Sequence, residues 1–478
     1  MRKSRELLKR KHIFLLIILI FLINGFIRKV PNGTSVKGLE RLDANAEFLY
    51  DLTYEKDGDI VKEQNIFNEQ LVLIDEAKEF IIVDMFLFND DYNRSTDVIY
   101  PNLSEQLTSK LIDKKSEIPD IKILFITDEI NNFYGAYESP YIKRLKENDI
   151  DVVITDLEKI RDSNPLYAGI WRSAIKWFGT SGRGWLPNPF SPDSPKVTAR
   201  GYLKLLNFKA NHRKVIATEN NAIIASMNPH DASGNHSNIA LKVGGSIIED
   251  IVVSELNTAE FSGYKDGKDF NISDIRKTGS KGLDKASLIT EGKIRDSLIE
   301  EISKTSGDSE INIAMFYLSH RGIVNELIKA ANRGVELKLI LDPNKDAFGI
   351  KKNGLPNRQV AHEIHRKTNK SNIVRWYDTQ GEQFHTKMAI IRDDNKSVII
   401  GGSANFTRRN LDDYNLETNL MVETPRGSNL DREVDSYFSR IWNNEGGNYT
   451  LDYSSYENRS KFKTAIYRLQ EWSGLSSF

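Results

Sequence analysis

Phe384-His-Thr-Lys-Met-Ala-Ile-Ile391, a polar Arg392–Ser397, and Val398-Ile-Ile-Gly-Gly-Ser-Ala-Asn-Phe406 read as a strand, a turn and a second strand. Apolar β-branched runs of this length flanking a polar turn are the signature of a buried hairpin. A second stretch far upstream has the same form: Asn211-His-Arg-Lys-Val-Ile-Ala-Thr218, then Glu219-Asn-Asn221, then Ala222-Ile-Ile-Ala-Ser-Met-Asn228. In each, His and Lys open the first strand two residues apart and Ser and Asn close the second at the same spacing. Side chains alternate along a strand, so each pair shares a face. A hairpin returns its ends to one place, which groups an imidazole, an ammonium, a hydroxyl and an amide.

The flanking sequence repeats as well. Phe80–Phe88, a helical stretch around Leu103–Ser116 and Ile121–Ile126 form a strand–helix–strand unit. Ile311–Leu318, Gly322–Arg333 and Val335–Leu341 form a second, with Gly334 as a helix C-cap. Each half continues with a further helix and strand, at Tyr141–Glu147 and Val152–Ile154, and at Val360–Thr368 and Ile373–Trp376. Strand–helix–strand units build parallel sheets. The expected architecture is α/β, with two similar lobes related by a pseudo-twofold, each a mostly parallel sheet flanked by helices. Repetition over about two hundred residues indicates duplication of a whole domain.

Four such groups suit a phosphodiester. Lys offers a point charge to the nonbridging oxygens, and Ser and Asn donate hydrogen bonds to them. One imidazole can attack phosphorus while the other protonates the leaving alcohol. Two half-sites meeting across a pseudo-twofold put one histidine on each side of the phosphate. No acidic cluster has metal-ligand spacing, so neither metal nor cofactor is expected. Which histidine is the nucleophile stays open.

The paired His-x-Lys…Ser-x-Asn pattern resembles the signature of the phospholipase D superfamily from about residue 60 onward. Gly402-Ser403-Ala404-Asn405 is especially close to it. The resemblance implies a bilobal α/β fold, a phosphohistidine intermediate and metal independence. Carried over, His212, Lys214, Ser226 and Asn228 form one half-site, and His385, Lys387, Ser403 and Asn405 the other. The family often has Asp seven positions after the His. Glu219 stands there in the first copy, while in the second Arg392 does and Asp393 follows. Glu219 and Glu417 are candidate supports, Glu417 by orienting a histidine through its carboxylate.

Composition narrows the field. The chain has 478 residues, 39% hydrophobic and 28% charged, which is ordinary for folded domains and long enough for two cores. Lys+Arg number 66 against Asp+Glu 67, so no global polycation serves nucleic acid, and no nucleic-acid partner is expected. There is no cysteine, which excludes disulfides and thiolate chemistry.

At the N-terminus six basic residues between Arg2 and Lys11 precede an apolar run, Ile13–Ile23, which Arg28-Lys29 follow. The run is read as a single transmembrane anchor with the catalytic region outside the cell membrane. A cleaved signal peptide and a buried core helix are the alternatives. The expected organisation is a basic tail at 1–11, an anchor at 12–30 and a linker at 31–60. The first lobe follows at 61–264, a connection at 265–298 and the second lobe at 299–478.

An insertion at 160–200 carries Trp171, Trp177 and Trp185 with Phe178 and Phe190, either as a lid core or as a contact with lipid headgroups. His230, His236 and His320 are expected near the site, and His362 and His365 on a helix face. The expected substrate is a phospholipid, cleaved with water or transferred to an alcohol as in a cardiolipin synthase. A membrane-anchored nuclease is one alternative. A non-catalytic protein that binds anionic phosphate is another.

Overall fold

The computed structural model describes residues 2–95, 98–270, 275, 282–347, 350–370 and 372–476. Residues 271–274 and 276–281 of the expected connection lie outside the described residues.

Eight strands form the first sheet: β1 (Glu47–Lys56), β2 (Asp59–Glu63), β3 (Phe80–Met85), β4 (Lys122–Thr127), β5 (Asp151–Ile154), β6 (Lys214–Thr218), β7 (Asn221–Ala225) and β8 (Asn238–Gly244). Their order is β2-β1-β8-β7-β6-β3-β4-β5. A second eight-stranded sheet holds β9 (Lys285–Thr290), β10 (Glu310–Met315), β11 (Glu336–Leu341), β12 (Val374–Tyr377), β13 (Lys387–Arg392), β14 (Lys396–Gly402), β15 (Thr418–Pro425) and β16 (Thr450–Asp452). Its order is β16-β12-β11-β10-β13-β14-β15-β9. Seven consecutive strands correspond one for one, β1-β8-β7-β6-β3-β4-β5 with β9-β15-β14-β13-β10-β11-β12, as duplication requires.

The sheets are mixed, which corrects the expectation of mostly parallel ones. Only β3–β4–β5 and β10–β11–β12 run parallel. Crossover helices join just those strands. Within each His hairpin, β6–β7 and β13–β14, the strands pair antiparallel, as do β6 with β3 and β13 with β10, and the later strands meander.

Alternation along the strands separates three cores. Leu124, Ile126, Val215, Ala217, Leu241, Ala314, Met388, Ile390 and Leu420 share one cluster between the sheets, with helices Ile247–Phe261 and Asn429–Asn443 closing it. Ile81, Val83, Phe125 and Ile216 face outward onto helices Ile66–Glu76, Leu103–Glu117 and Pro140–Glu147. Ile311, Ile313, Leu339 and Ile400 do the same beneath helices Gly292–Ser303, Arg321–Asn332 and Asn357–Thr368. Because the two sheets share a core, the lobes are held in one register, and that fixes the cleft between their strand ends.

The N-terminal segment requires a correction. Helix Arg2–Phe26 forms, but among the described residues no helix is long and apolar enough to cross a membrane. The unbroken apolar run, Ile13–Ile23, is 11 residues. At about 1.5 Å rise it covers roughly 16 Å, against a hydrocarbon core of about 30 Å. The transmembrane anchor and the single-pass, extracytoplasmic placement are therefore withdrawn. Asn24 and Gly25, which interrupt the run, are docking residues. Asn24 Nδ2 donates to Ser173 Oγ at 2.7 Å, and the Arg172 guanidinium donates to the Asn24 carbonyl at 2.5 Å. Gly25 lies against the Pro165 backbone and Gly169 against that of Phe21, leaving no room for a Cβ at either.

Candidate active site

Two backbone bridges across the lobes build the site. Asn211 pairs with Leu416 and Ser237 with Phe384, so each histidine loop lies beside a strand of the opposite lobe. His212 N donates to Leu416 O at 2.9 Å, and His385 N to Ser237 O at 2.8 Å. Asp128 and Asp342, at the ends of β4 and β11, accept the backbone N–H of Asn211 (2.6 Å) and Phe384 (2.8 Å). Burial pushes both carboxyls up to about 7.

Within each half-site the geometry repeats. Lys214 Nζ donates to His212 O at 2.7 Å, and Lys387 Nζ to His385 O at 2.8 Å. Phe86 packs 4.7 Å from the His212 ring and Phe316 5.2 Å from the His385 ring, each with its lysine ammonium over the face. His212, His385, Asn228 and Asn405 line one cavity of about 360 Å³ between the lobes.

The partners of the imidazoles differ. His212 Nδ1 lies 2.9 Å from Glu417 Oε1 and 3.1 Å from Oε2, and a carboxylate only accepts, so Nδ1 carries the proton. His385 Nδ1 lies 3.2 Å from Asn238 Oδ1. The Asn238 amide nitrogen donates to His236 O and Asp51, which fixes the oxygen toward the ring. Each histidine is therefore held from the opposite lobe, with Nε2 left as the nitrogen that bears a lone pair.

The serines stand behind this layer. Ser403 Oγ donates to Glu417, and Ser226 Oγ donates to Asn238 Oδ1 at 3.3 Å. Each thus supports the group that supports a histidine, and the asparagines are left to face the cavity. Asn228 Oδ1 accepts from Leu87 N at 3.3 Å, which orients its amide. Gly402 adopts φ 154°, where a Cβ would meet Thr418 O at 2.5 Å.

Electrostatics follow from burial. Desolvation lowers His212 to about 4 against the pull of Glu417, and it holds His385 well below the ordinary histidine range. Lys214 falls to about 7, and Lys387 is depressed well below the ordinary lysine range by burial and by Lys214. Burial would raise Glu417, but His212 and Lys214 outweigh it and keep the carboxyl below its usual range. Such displaced groups converging on one cleft mark a functional centre.

Glu219 stands apart. It accepts the backbone N–H of Lys78 (2.9 Å), Glu79 and Phe80 at the far end of the first hairpin. Arg392 at the equivalent position pairs with Asp431 and Asp435. His230 lines the cavity, and the His236 ring is 5.8 Å from that of His385. His320 caps helix Arg321–Asn332 and binds Asp412, while His362 and His365 contact Tyr453.

The insertion divides. Trp171 is buried and donates to Glu158, whereas Trp177, Phe178 and Trp185 are exposed. Pro189 and Phe190 reach the cavity, whose apolar lining also includes Phe86, Leu87, Ile130, Leu205 and Phe208. Three contributors lay outside the sequence reading. Asn238 carries no motif, and Arg409 reaches the cavity from just beyond Asn405. Glu291, at φ 45°, joins Arg213 (2.7 Å) to the Glu417 backbone N–H (3.0 Å). Strain of that kind persists only where surroundings enforce it.

Residues 298–442 match the family described as Cardiolipin synthase, PLD-like domain. No curated protein matches the chain. Phosphatidylserine synthase from Haemophilus influenzae Rd KW20 shares the fold at TM-score 0.57 and 10% identity, over 91% of this chain and 96% of that one. Polyphosphate kinase from Porphyromonas gingivalis aligns at TM-score 0.40 and 13% identity, over 90% of this chain and 53% of that one. The phospholipase D family member Nuc from Salmonella typhimurium aligns at 0.27 and 19%, over 35% and 97%. The fold comparison rests on the first of these. The family match thus lies in the second lobe, residues 298–442, and the first lobe carries a hairpin of the same form at Asn211–Asn228.

Proposed function

We propose that the protein is a phosphodiesterase or phosphatidyltransferase acting on phospholipids through a phosphohistidine. The observation that carries this reading is the pair of imidazoles facing one cavity, each with Nδ1 tied to an acceptor from the opposite lobe. In the first step Nε2 of one histidine attacks phosphorus. The P–O bond to the leaving alcohol breaks, and its electron pair goes to that oxygen, which takes a proton from the other histidine. In the second step water or an alcohol gives its proton to the second histidine and attacks phosphorus, and the P–N bond breaks. Arg409 lines the cavity and can offset charge on the phosphoryl oxygens, Lys214 and Lys387 are assigned the same part from behind the histidines, and Asn228 and Asn405 offer amide donors.

The lipid assignment draws on the apolar lining of the cavity, since Phe86, Ile130, Leu205 and Phe208 would be poor partners for a polynucleotide backbone. The test is product analysis after mixing the protein with mixed phospholipid vesicles and a chelator, beside His212→Ala and His385→Ala. Conversion of a lipid by wild type alone supports the reading, and the product names headgroup and acceptor. Unchanged lipid in every sample refutes it.

A further inference from the structure

The last helix, Lys461–Ser473, is amphipathic in the inverse sense. Its inner face is partly polar. Tyr467 and Glu471 are buried there, and Glu471 accepts from Ser319 Oγ at 2.8 Å and from Arg408 N at 2.9 Å. Its outer face is apolar, for every exposed residue from Phe462 to Leu475 is so: Phe462, Ala465, Leu469, Trp472 and Leu475. Steps of three and four residues lay these side chains in one stripe. Phe462 and Trp472 are each 76% exposed and Leu469 is 60% exposed, so the stripe is bare along its length.

Charge selects what covers it. The helix carries Lys461, Lys463 and Arg468, and its one acid, Glu471, is turned inward. Arg468 pairs with Glu363 at 2.8 Å, whereas Lys463 Nζ donates to a neutral group, the Asn353 carbonyl, at 3.0 Å. A second copy of the helix would therefore set like charges together. One face about 20 Å long and about 10 Å wide also falls short of the roughly 800 Å² per partner that a stable dimer buries. An anionic lipid surface accepts both the stripe and the lysines. The insertion repeats the combination, since residues 176–185 expose Trp177, Phe178 and Trp185 beside Lys176 and Arg183 and contain no acid. Gly474 lies against the Ser163 backbone, so the helix end adjoins the base of that insertion.

We propose that helix Lys461–Ser473 lies flat on an anionic lipid surface, with Phe462, Leu469 and Trp472 sunk into the boundary between headgroups and acyl chains. The contact is interfacial and needs no spanning segment. Arg408 donates to the Glu471 and Trp472 carbonyls, and Arg409, which lines the cavity, donates to that of Ser476. Docking of the helix thus holds the cavity close to the lipid. The inference stands on the helix and is independent of whether the cavity turns lipid over.

The chain has no cysteine, so Leu469→Cys takes a nitroxide label at one site of the full chain. On phosphatidylcholine vesicles containing phosphatidylglycerol, that label should gain collisions with oxygen and lose those with a water-soluble nickel chelate. A label at Lys329→Cys, on the outer helix Arg321–Asn332, should stay aqueous. Phe462→Ser combined with Trp472→Ser should weaken partitioning onto these vesicles by at least about tenfold. The denaturation midpoint should hold, because both side chains are exposed. Four results overturn the proposal: a label at 469 that stays aqueous on bound protein, equal insertion into phosphatidylcholine alone, unchanged partitioning of the double variant, or spin–spin broadening without vesicles, which would make the occupant a second copy.

Discussion

Glu417→Gln removes one negative charge and leaves the shape of the site unaltered. The wild-type carboxylate is fully buried and accepts from three donors: His212 Nδ1, Ser403 Oγ and Asn410 Nδ2. A glutamine has one acceptor oxygen for these three, and its NH₂ must face at least one N–H or O–H. Turned toward His212, the NH₂ forces the ring into the Nε2–H tautomer, which removes the lone pair from the nitrogen that faces phosphorus. Turned toward Asn410, it sets donor against donor, at about 1–3 kcal/mol. In either orientation the imidazolium that forms during proton transfer loses its counter-charge, so kcat should fall on the order of 10³–10⁴-fold. The affinity for an anionic diester should hold or improve, because a negative charge beside the phosphate has gone. The assay is p-nitrophenol release from bis(p-nitrophenyl) phosphate, with kcat and KM resolved. A kcat within about threefold of wild type, or a loss confined to KM, would refute the role assigned to Glu417.

Glu219→Gln should do the reverse, since Glu219 accepts backbone N–H groups at the far end of the hairpin. Stability should drop by about 1–3 kcal/mol in chemical denaturation while kcat holds. The third prediction concerns pH. Burial lowers Lys214 to about 7, so its ammonium is present below that pH and lost above it. Inhibition by sulfate, which does not titrate in this range, should weaken as pH rises through 7, by up to about tenfold per unit. Lys214→Met should remove that inflection, which an inhibition-constant profile from pH 6 to 9 would reveal.

The parts legible in the sequence are those where one local pattern has one structural consequence. Val215–Thr218 with Ala222–Ala225, and Lys387–Ile391 with Val398–Gly402, announce hairpins because β-branched runs on both sides of a polar turn have few other solutions. The motif pairs then fall at the strand ends. Strand direction was less legible. The strand–helix–strand units predict parallel pairing truthfully, but they say nothing about how β1, β8 or β15 attach. The helix Arg2–Phe26 shows another limit, since Asn24 and Gly25 look like defects in an apolar run until Arg172, Ser173 and Pro165 are seen against them. Asn238 carries no motif at all. Its role comes from a distance across the fold, and a single Asn at the start of a strand has no periodicity to reveal it.

The residue that sequence reading missed most consequentially is Asn238, because it breaks the symmetry of the site. Backbone, lysine, phenylalanine and serine repeat between the half-sites, yet one imidazole leans on a carboxylate and the other on an amide. Two imidazoles with identical surroundings would divide a proton evenly and could exchange roles freely from one turnover to the next. Burial disfavours positive charge on both rings, but at His212 Glu417 offsets part of that cost, whereas at His385 Lys387, His236 and Lys214 add to it. A reaction that needs one neutral and one protonated histidine is thereby given a preferred arrangement before substrate arrives. A duplicated fold supplied two equal histidines, and a single Glu/Asn difference in their supports makes them chemically unequal.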